Sequence, residues 1–326
     1  MIRPAKRITS TDVARAAGVS QTTVSFVLND KPGHSIPQAT RLRILEVARR
    51  LDYRPHASAR TLAAGHSDVV LLSVPDLPIG GGVGRFVEEL ADALAGYGLT
   101  LVTHLAGTYG RSLADVCAAV SASVVVGLMS FDDDTAEALY RAGAQVVLTS
   151  SRVAWSAAAH PVGRLQAGYL IGRGHQRIGY AMPAHPGLQE MAEDRLQGAA
   201  DACTSVGLDS PLAISLGLEI ADAASAVAQW ASQSVTGVCA FNDDTAIAVL
   251  AGLREHGLTA PAGIAVIGVD DIPIARLASP PLTTVSYDLR LAGRRLAEVI
   301  TSSLAGREPH LAAAQEEWKV IQRSSA

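Results

Sequence analysis

The stretch Thr9-Ser-Thr-Asp-Val-Ala-Arg-Ala-Ala-Gly18-Val-Ser20-Gln-Thr-Thr-Val-Ser25-Phe-Val-Leu-Asn29 decides how the start of the chain folds. It reads as two short helices joined by a tight turn. Thr9 is placed to cap the first helix, and Asp12, three residues on, to reach back and close a capping box. Val13, Ala14 and Ala17 form one apolar stripe. Gly18 supplies the left-handed residue that stops the helix, and Ser20 caps the next one. Val24, Val27 and Leu28 make the buried face of that second helix, which leaves Gln21, Thr22, Thr23 and Ser25 displayed at its start. Short polar side chains in that position suit base edges and phosphates, as in a helix-turn-helix that enters a major groove by its N-terminal end. Taken alone, the same pattern also fits an ordinary αα-hairpin with a solvated polar face.

Charge separates the two possibilities. The 326 residues carry a net charge of −4, but unevenly. Residues 1–66 hold 11 Lys and Arg against 4 Asp and Glu, a net +7; the remainder holds 16 against 27, a net −11. A basic head on an acidic body points to a polyanionic partner for the head alone. A third helix is expected over about 38–51, with Ile44, Ala48 and Leu51 facing the first two and Arg41, Arg43, Arg49 and Arg50 around its other faces. A hydrophobic content of 48% with 18% charged residues describes a globular chain long enough for two or three compact units. No apolar run approaches a membrane span, and the charged start Met-Ile-Arg-Pro-Ala-Lys-Arg lacks a signal-peptide core, so no membrane partner and a cytoplasmic location are expected. Cys117, Cys203 and Cys239 are far apart and read as small core residues rather than a disulfide frame or zinc site.

Beyond the head, apolar runs alternate with amphipathic segments. Strands are expected at 69–74, 99–103, 123–128 and 145–148, separated by helices near 84–96, 112–120 and 133–142. A second series follows: helix 164–172, strand 177–181, helix 188–206, strand 212–215, helix 220–232, strand 235–241, helix 245–255 and strand 265–269. Such alternation implies parallel sheets covered on both faces, and two series imply two lobes with a cleft at the strand ends. Helix 289–304 and a closing strand 318–322 end the chain.

Three spaced segments, "TSTDVARAAGVSQTTVSFVLN", "TRLRILEVARRLDYRP" and "SARTLA", resemble the DNA-binding head and hinge of the lactose-repressor (LacI/GalR) family. "GHQRIGY" (174–180), "RLQG" (195–198), "FNDDTAIAVL" (241–250), "VIGVDD" (266–271) and "PPLTTV" (280–285) resemble that family's effector domain. The resemblance implies an α/β protein: an all-α helix-turn-helix head at 1–55, a hinge helix and linker at 56–66, and a two-lobed, periplasmic-binding-protein-like body with parallel sheets at 67–326. It also implies a homodimer on a palindromic double-stranded DNA operator. Gln21 and Thr22 would read bases, while Thr9, Ser20, Thr23, Ser25 and Asn29 would hold phosphates or brace the helix. Phe26 stands where many relatives carry a base-reading Arg; it either meets a thymine methyl or packs. In the hinge, Ala59 fits the motif, and Leu62 matches the leucine that wedges into the minor groove, its alternative being a linker residue packed on the body.

Arg195, Asn242 and Asp270 match family positions that grip the polar groups of a small-molecule effector. Each has an alternative: Arg195 in an ion pair, Asn242 capping the helix that follows it, Asp270 capping a turn. The first-lobe wall departs from the family. The stretch from Asp76 to Val83 replaces an Asn-Pro-Phe-Phe-like segment, and two usual aspartates fall on Ser150 and Pro161. The effector's class is therefore open, between a sugar, some other molecule and none. Gly80–Gly84 fails as a dinucleotide motif because Arg85 stands where G-x-G-x-x-G needs glycine. The histidines lack metal-ligand spacing, Asp132–Asp134 reads as a helix N-terminus, and no nucleophile elbow is visible. Neither metal nor cofactor nor catalysis is expected. A solute-binding receptor would explain the body but not the basic head; an α/β enzyme would explain the alternation but needs a catalytic constellation.

Overall fold

The computed structural model describes residues 8–28, 36–53, 66–76, 78–107, 110–148, 159–307 and 318–326. The chain divides into two compact units, Met1–Asp68 and Val69–Ala326.

The first unit contains α1 (Ser10–Ala17), α2 (Gln21–Leu28) and α3 (Gln38–Arg50). The start of α1 is fixed by the capping box. Asp12 N–H donates to Thr9 Oγ1 at 3.3 Å, and Thr9 N–H donates to Asp12 Oδ2 at 3.0 Å. Gly18 ends the helix at φ +65°, the left-handed region that side chains with a Cβ disfavour. Ser20 Oγ accepts from Thr23 N–H at 3.1 Å and opens α2. Val13, Ala14, Ala17, Val24, Val27, Ile44, Val47 and Ala48 are buried together, with Leu28, Leu51 and Tyr53 packed at the edge. This small core leaves Gln21 and Thr22 exposed at the front of α2.

The second unit has two lobes. Lobe 1 is a four-stranded parallel sheet in the order β2-β1-β3-β4. Its strands are β1 (Val69–Val74), β2 (Thr100–Leu105), β3 (Val124–Gly127) and β4 (Val146–Leu148). Its helices are α4 (Gly81–Ala95), α5 (Leu113–Val120) and α6 (Asp133–Arg141). As expected of an acidic helix N-terminus, Asp132 caps α6 by accepting from Thr135 N–H at 2.7 Å. Lobe 2 begins with α7 (Ala159–Gly172), β5 (Ile178–Pro183), α8 (Gln189–Thr204) and β6 (Leu212–Leu216). It continues through α9 (Ile220–Ser232), β7 (Gly237–Ala240), α10 (Asp243–Glu255), β8 (Ala265–Val269) and β9 (Thr283–Ser286). The chain then returns to lobe 1 as α11 (Leu289–Leu304), where Leu296, Ala297 and Ile300 join the core of Phe86, Leu90 and Leu94. It ends back in lobe 2 with β10 (Lys319–Ile321). At these crossings the rings of Tyr287 and Trp318 stack with centroids 4.4 Å apart.

Two expectations are corrected. The lobe 2 sheet, ordered β10-β9-β8-β7-β5-β6, is not wholly parallel: β10 runs antiparallel to β9. It caps an edge that would otherwise present unpaired backbone. The first lobe 1 helix starts at Gly81 rather than near residue 84. Glycine is a poor helix former, but lobe 2 side chains pack closely against this turn. A Cβ on Gly80, Gly81 or Gly82 would lie 2.8 Å from Asp244 Oδ2, Ile272 Cγ2 and Asp270 Oδ2 respectively.

Candidate functional site

Two sites emerge, one in each unit. In the head, α2 presents Gln21 and Thr22 fully outward, with Thr23, Ser25 and Phe26 half-buried along the same helix and Thr9 exposed at the start of α1. Gln21 Nε2 donates to Ser10 Oγ at 2.8 Å, which ties the exposed amide to the first helix. Ser20 Oγ also lies 2.8 Å from Thr23 Oγ1. Arg43, Arg49 and Arg50 are exposed on α3. Asn29, Ala59 and Leu62, together with most of the expected hinge at 56–66, lie outside the described residues.

In the body, a cleft with an empty volume of about 1050 Å³ opens between the lobes, and Arg195, Asn242 and Asp270 all line it. They come from three different elements of lobe 2: the face of α8, the N-cap of α10 and the residue after β8. Their convergence follows from the parallel sheet, which delivers its strand C-terminal ends to one edge. Arg195 is 4% exposed. Its guanidinium lies 4.6 Å from the Phe241 ring centroid, its Nη1 donates to Phe241 O, and its Nε is buried without a partner. Among the described residues Arg195 makes no ion pair within 4.0 Å. Asn242 does cap: its Oδ1 accepts from Thr245 N–H at 2.9 Å and Thr245 Oγ1 at 2.8 Å. Capping uses only the oxygen, and the side chain still lines the cleft. Asp270 sits at φ +105°, a strained conformation for a residue with a Cβ. Burial pushes its carboxyl up to about 6, the Arg195 guanidinium pulling it down and the Asp244 carboxylate pushing it up.

Of the first-lobe positions, Pro78, Gly80, Gly82 and Val83 reach the cleft. Pro161 lies in the first turn of α7 and is not among its lining residues. Ser150 falls outside the described residues. Among the described residues no group of three or more His, Cys, Asp or Glu is placed to hold a metal ion, and no helix is long and apolar enough to cross a membrane.

Sequence reasoning missed the support beneath these groups. Gln166 is fully buried and donates to the carbonyls of Ala240, Ile267 and Gly268 at 2.8, 3.2 and 3.3 Å, tying α7 to two strands. Asp243, also fully buried, accepts from Thr284 Oγ1 at 2.6 Å and from Ile272 N–H at 2.9 Å. The acidic pair in "FNDDT" was a signal for Asp243; nothing local marked Gln166. Burial, reinforced by the nearby Asp270 carboxylate, pushes the Asp243 carboxyl up to about 8 from its ordinary 3.8. Between those values the folded body holds a proton that the unfolded chain releases. Stability therefore falls as pH rises through that window, by at most about 1.4 kcal/mol per pH unit from this group. Thermal melts should give a higher midpoint near about pH 5.5 than near about pH 8, and Asp243→Asn should flatten the difference. A midpoint independent of pH in the native protein would contradict the buried, protonated state.

Comparison with known proteins identifies the family. Residues 9–56 match the family described as bacterial regulatory proteins, lacI family, and residues 167–326 match the periplasmic binding protein-like domain. The chain is 31% identical to the HTH-type transcriptional regulator GalR of Escherichia coli (strain K12), over 91% of this chain and 89% of that one. It is 27% identical to the HTH-type transcriptional repressor PurR of Vibrio vulnificus (strain CMCP6), over 91% of this chain and 92% of that one. Among solved structures, the lac repressor dimer bound to operator and the anti-inducer ONPF shares its fold with a TM-score of 0.75 at 23% identity, covering 98% of this chain and 99% of that one. The complex of transcriptional regulator CelR with cellobiose gives a TM-score of 0.64 at 25% identity, covering 98% of this chain and all of the other. With the lacI-family match in its head and the periplasmic binding protein-like match in its body, the chain belongs to the lacI family of bacterial regulatory proteins.

Proposed function

We propose that this protein is a cytoplasmic repressor that binds a palindromic double-stranded DNA operator as a homodimer and is modulated by a small-molecule effector held between its lobes. The observation that carries this reading is the front of α2, where a capped helix exposes Gln21 and Thr22 on a basic head. GalR and PurR, regulators by name, align with nearly the whole chain, and the lac repressor of like fold is a dimer on its operator. Within the reading, residues 1–55 form the head, 56–66 the hinge and 67–326 the effector-binding and dimerisation body. Gln21 and Thr22 read bases. Thr9, Ser20, Thr23, Ser25 and Asn29 hold phosphates or brace the helix, and Phe26 contacts a thymine methyl. Ala59 and Leu62 belong to the hinge helix, taken over 56–64, about nine residues and too short to persist alone in water; paired hinge helices fold when the minor groove supplies a surface.

Arg195, Asn242 and Asp270 bind the effector. The effector acts through its different affinity for two arrangements of the lobes, which alters the spacing of the paired hinges. No metal, cofactor or catalytic step enters this reading.

Competition mobility shifts on a duplex selected from a random pool test it. Leu62→Ala should weaken binding to the selected duplex about tenfold or more, since unstacking and bending are realised on the specific site, and leave binding to scrambled duplex nearly unchanged. Equal losses on both duplexes would remove the wedge.

A further inference from the structure

We propose that the cleft takes an amphiphilic small molecule, an apolar ring or chain carrying one compact polar head, rather than a polyhydroxylated sugar. This rests on the effector reading above and specifies the ligand's chemistry.

The lining is divided by lobe. Among the described residues, lobe 1 contributes Pro78, Gly80, Gly82, Val83, Leu128 and Met129, with no side-chain donor or acceptor among them. The polar lining groups, Arg195, Asn242, Asp244, Thr245, Asp270 and His185, all belong to lobe 2. They do not cover the whole of that lobe's wall either, because Leu188, Met191, Leu216 and Phe241 lie between and beside them.

A hexose carries hydroxyls around its whole rim. Closed between these walls, those turned to the described part of lobe 1 would lose water and find no hydrogen-bond partner beyond the backbone N–H groups at the start of α4, each unpaired hydroxyl costing roughly five- to hundredfold in affinity. Sugar sites offset such losses by stacking a ring face on an aromatic side chain. Among the described lining residues Phe241 carries the phenyl ring, and the Arg195 guanidinium already lies over it. An apolar body against Val83, Leu128 and Met129 gains from the same wall that penalises a sugar.

The head is specified by what lobe 2 leaves unsatisfied. Arg195 lines the cleft with its guanidinium, of which Nη1 already donates to the Phe241 carbonyl and Nε is sealed from the cleft, so the remaining guanidinium N–H groups are the donors left for a ligand. The Asn242 oxygen is committed to Thr245, so the amide nitrogen is the end that remains for a ligand. Asp270, faced by the N-terminal turn of α4 at Gly82, supplies an acceptor. A head with an acceptor and a donor on neighbouring atoms, as in a carboxamide, meets all three.

Calorimetric titration of the full chain with benzamide, cyclohexanecarboxamide, acetamide, D-galactose and D-glucose tests this. The two ring carboxamides should bind at least tenfold more tightly than acetamide and than either hexose. V83T keeps the side-chain volume but places a hydroxyl on the lobe 1 wall; it should weaken the ring carboxamides about three- to tenfold and leave acetamide unchanged. M129Q should do the same from an independent position. Hexose binding as tight as that of the ring carboxamides, acetamide binding equal to theirs, or binding of neither ring carboxamide would overturn the proposal. Binding of the selected duplex, measured on the same sample, keeps the two failures apart. If it is retained, only the amphiphilic ligand is rejected; if it is absent, the regulator reading falls as well.

Discussion

Gly198→Ala is expected to destabilise the body by about 3 kcal/mol or more, the severe end of what an added methyl group does to a packed interior. Helices α7 and α8 cross backbone to backbone. A Cβ on Gly198 would overlap the carbonyl oxygen of His160 and fall 2.9 Å from its carbonyl carbon and 3.1 Å from the Arg164 nitrogen. The crossing is reciprocal, because a Cβ on Gly163 would overlap the Arg195 carbonyl oxygen and lie 3.0 Å from the Ala199 nitrogen. Backbone atoms within helices cannot rotate aside as a side chain can. The helices would have to separate, opening the core that Val162, Ala167, Ala199, Ala202 and Cys203 fill between them and the sheet. The same shift would move Arg195, so effector binding and stability should fall together. Gly168, on the exposed side of α7, is the control. A Cβ there meets nothing within 4 Å, and alanine should stabilise the helix by up to about 1 kcal/mol. Urea unfolding curves check both: a lower midpoint for Gly198→Ala and an equal or higher one for Gly168→Ala. A Gly198→Ala midpoint matching the native protein would show that the helices are not in backbone contact.

The double substitution Gln21→Ala with Thr22→Ala should lower affinity for the selected operator by roughly a thousandfold or more at fixed salt. Each good base contact is worth about 1–3 kcal/mol of discrimination, and a dimer presents both side chains twice. Both residues are exposed, and neither belongs to the head core, so the head should stay folded. Non-specific affinity and its salt dependence should remain, because those come from phosphate contacts that the substitutions spare. Titration by fluorescence anisotropy against selected and scrambled duplexes, at two salt concentrations, separates these effects. A parallel loss on both duplexes would mean that these side chains hold the backbone rather than read bases.

Much of this architecture is legible in the sequence where the determining physics is local. Thr9, Asp12, Gly18 and Ser20 set the ends of α1 and the start of α2 through neighbours three or four residues away. The long apolar and amphipathic runs set β1, α9, β8 and α11 at the residues expected of them. The convergence of Arg195, Asn242 and Asp270 followed from the family resemblance and from strand polarity. What stayed hidden depends on segments distant in the chain. The glycines at the start of α4 are approached closely by Asp244, Asp270 and Ile272, which lie more than 150 residues away. Gln166 looks like any helix-surface amide until the sheet it spans is in place. Gly163 and Gly198 each resemble a weak point in a helix until the partner helix arrives. The antiparallel β10 is set by a late return to lobe 2 that its own few residues do not announce.

Base reading by the exposed front of α2 is the central claim, and selection of duplexes from a random pool by the full chain, followed by affinity measurement on the winners, tests it most directly. The account predicts enrichment of an inverted repeat with half-sites set by the dimer, bound at least a thousandfold more tightly than its scrambled version. Recovery of unrelated sequences, bound no better than scrambled DNA at the same salt, would contradict it.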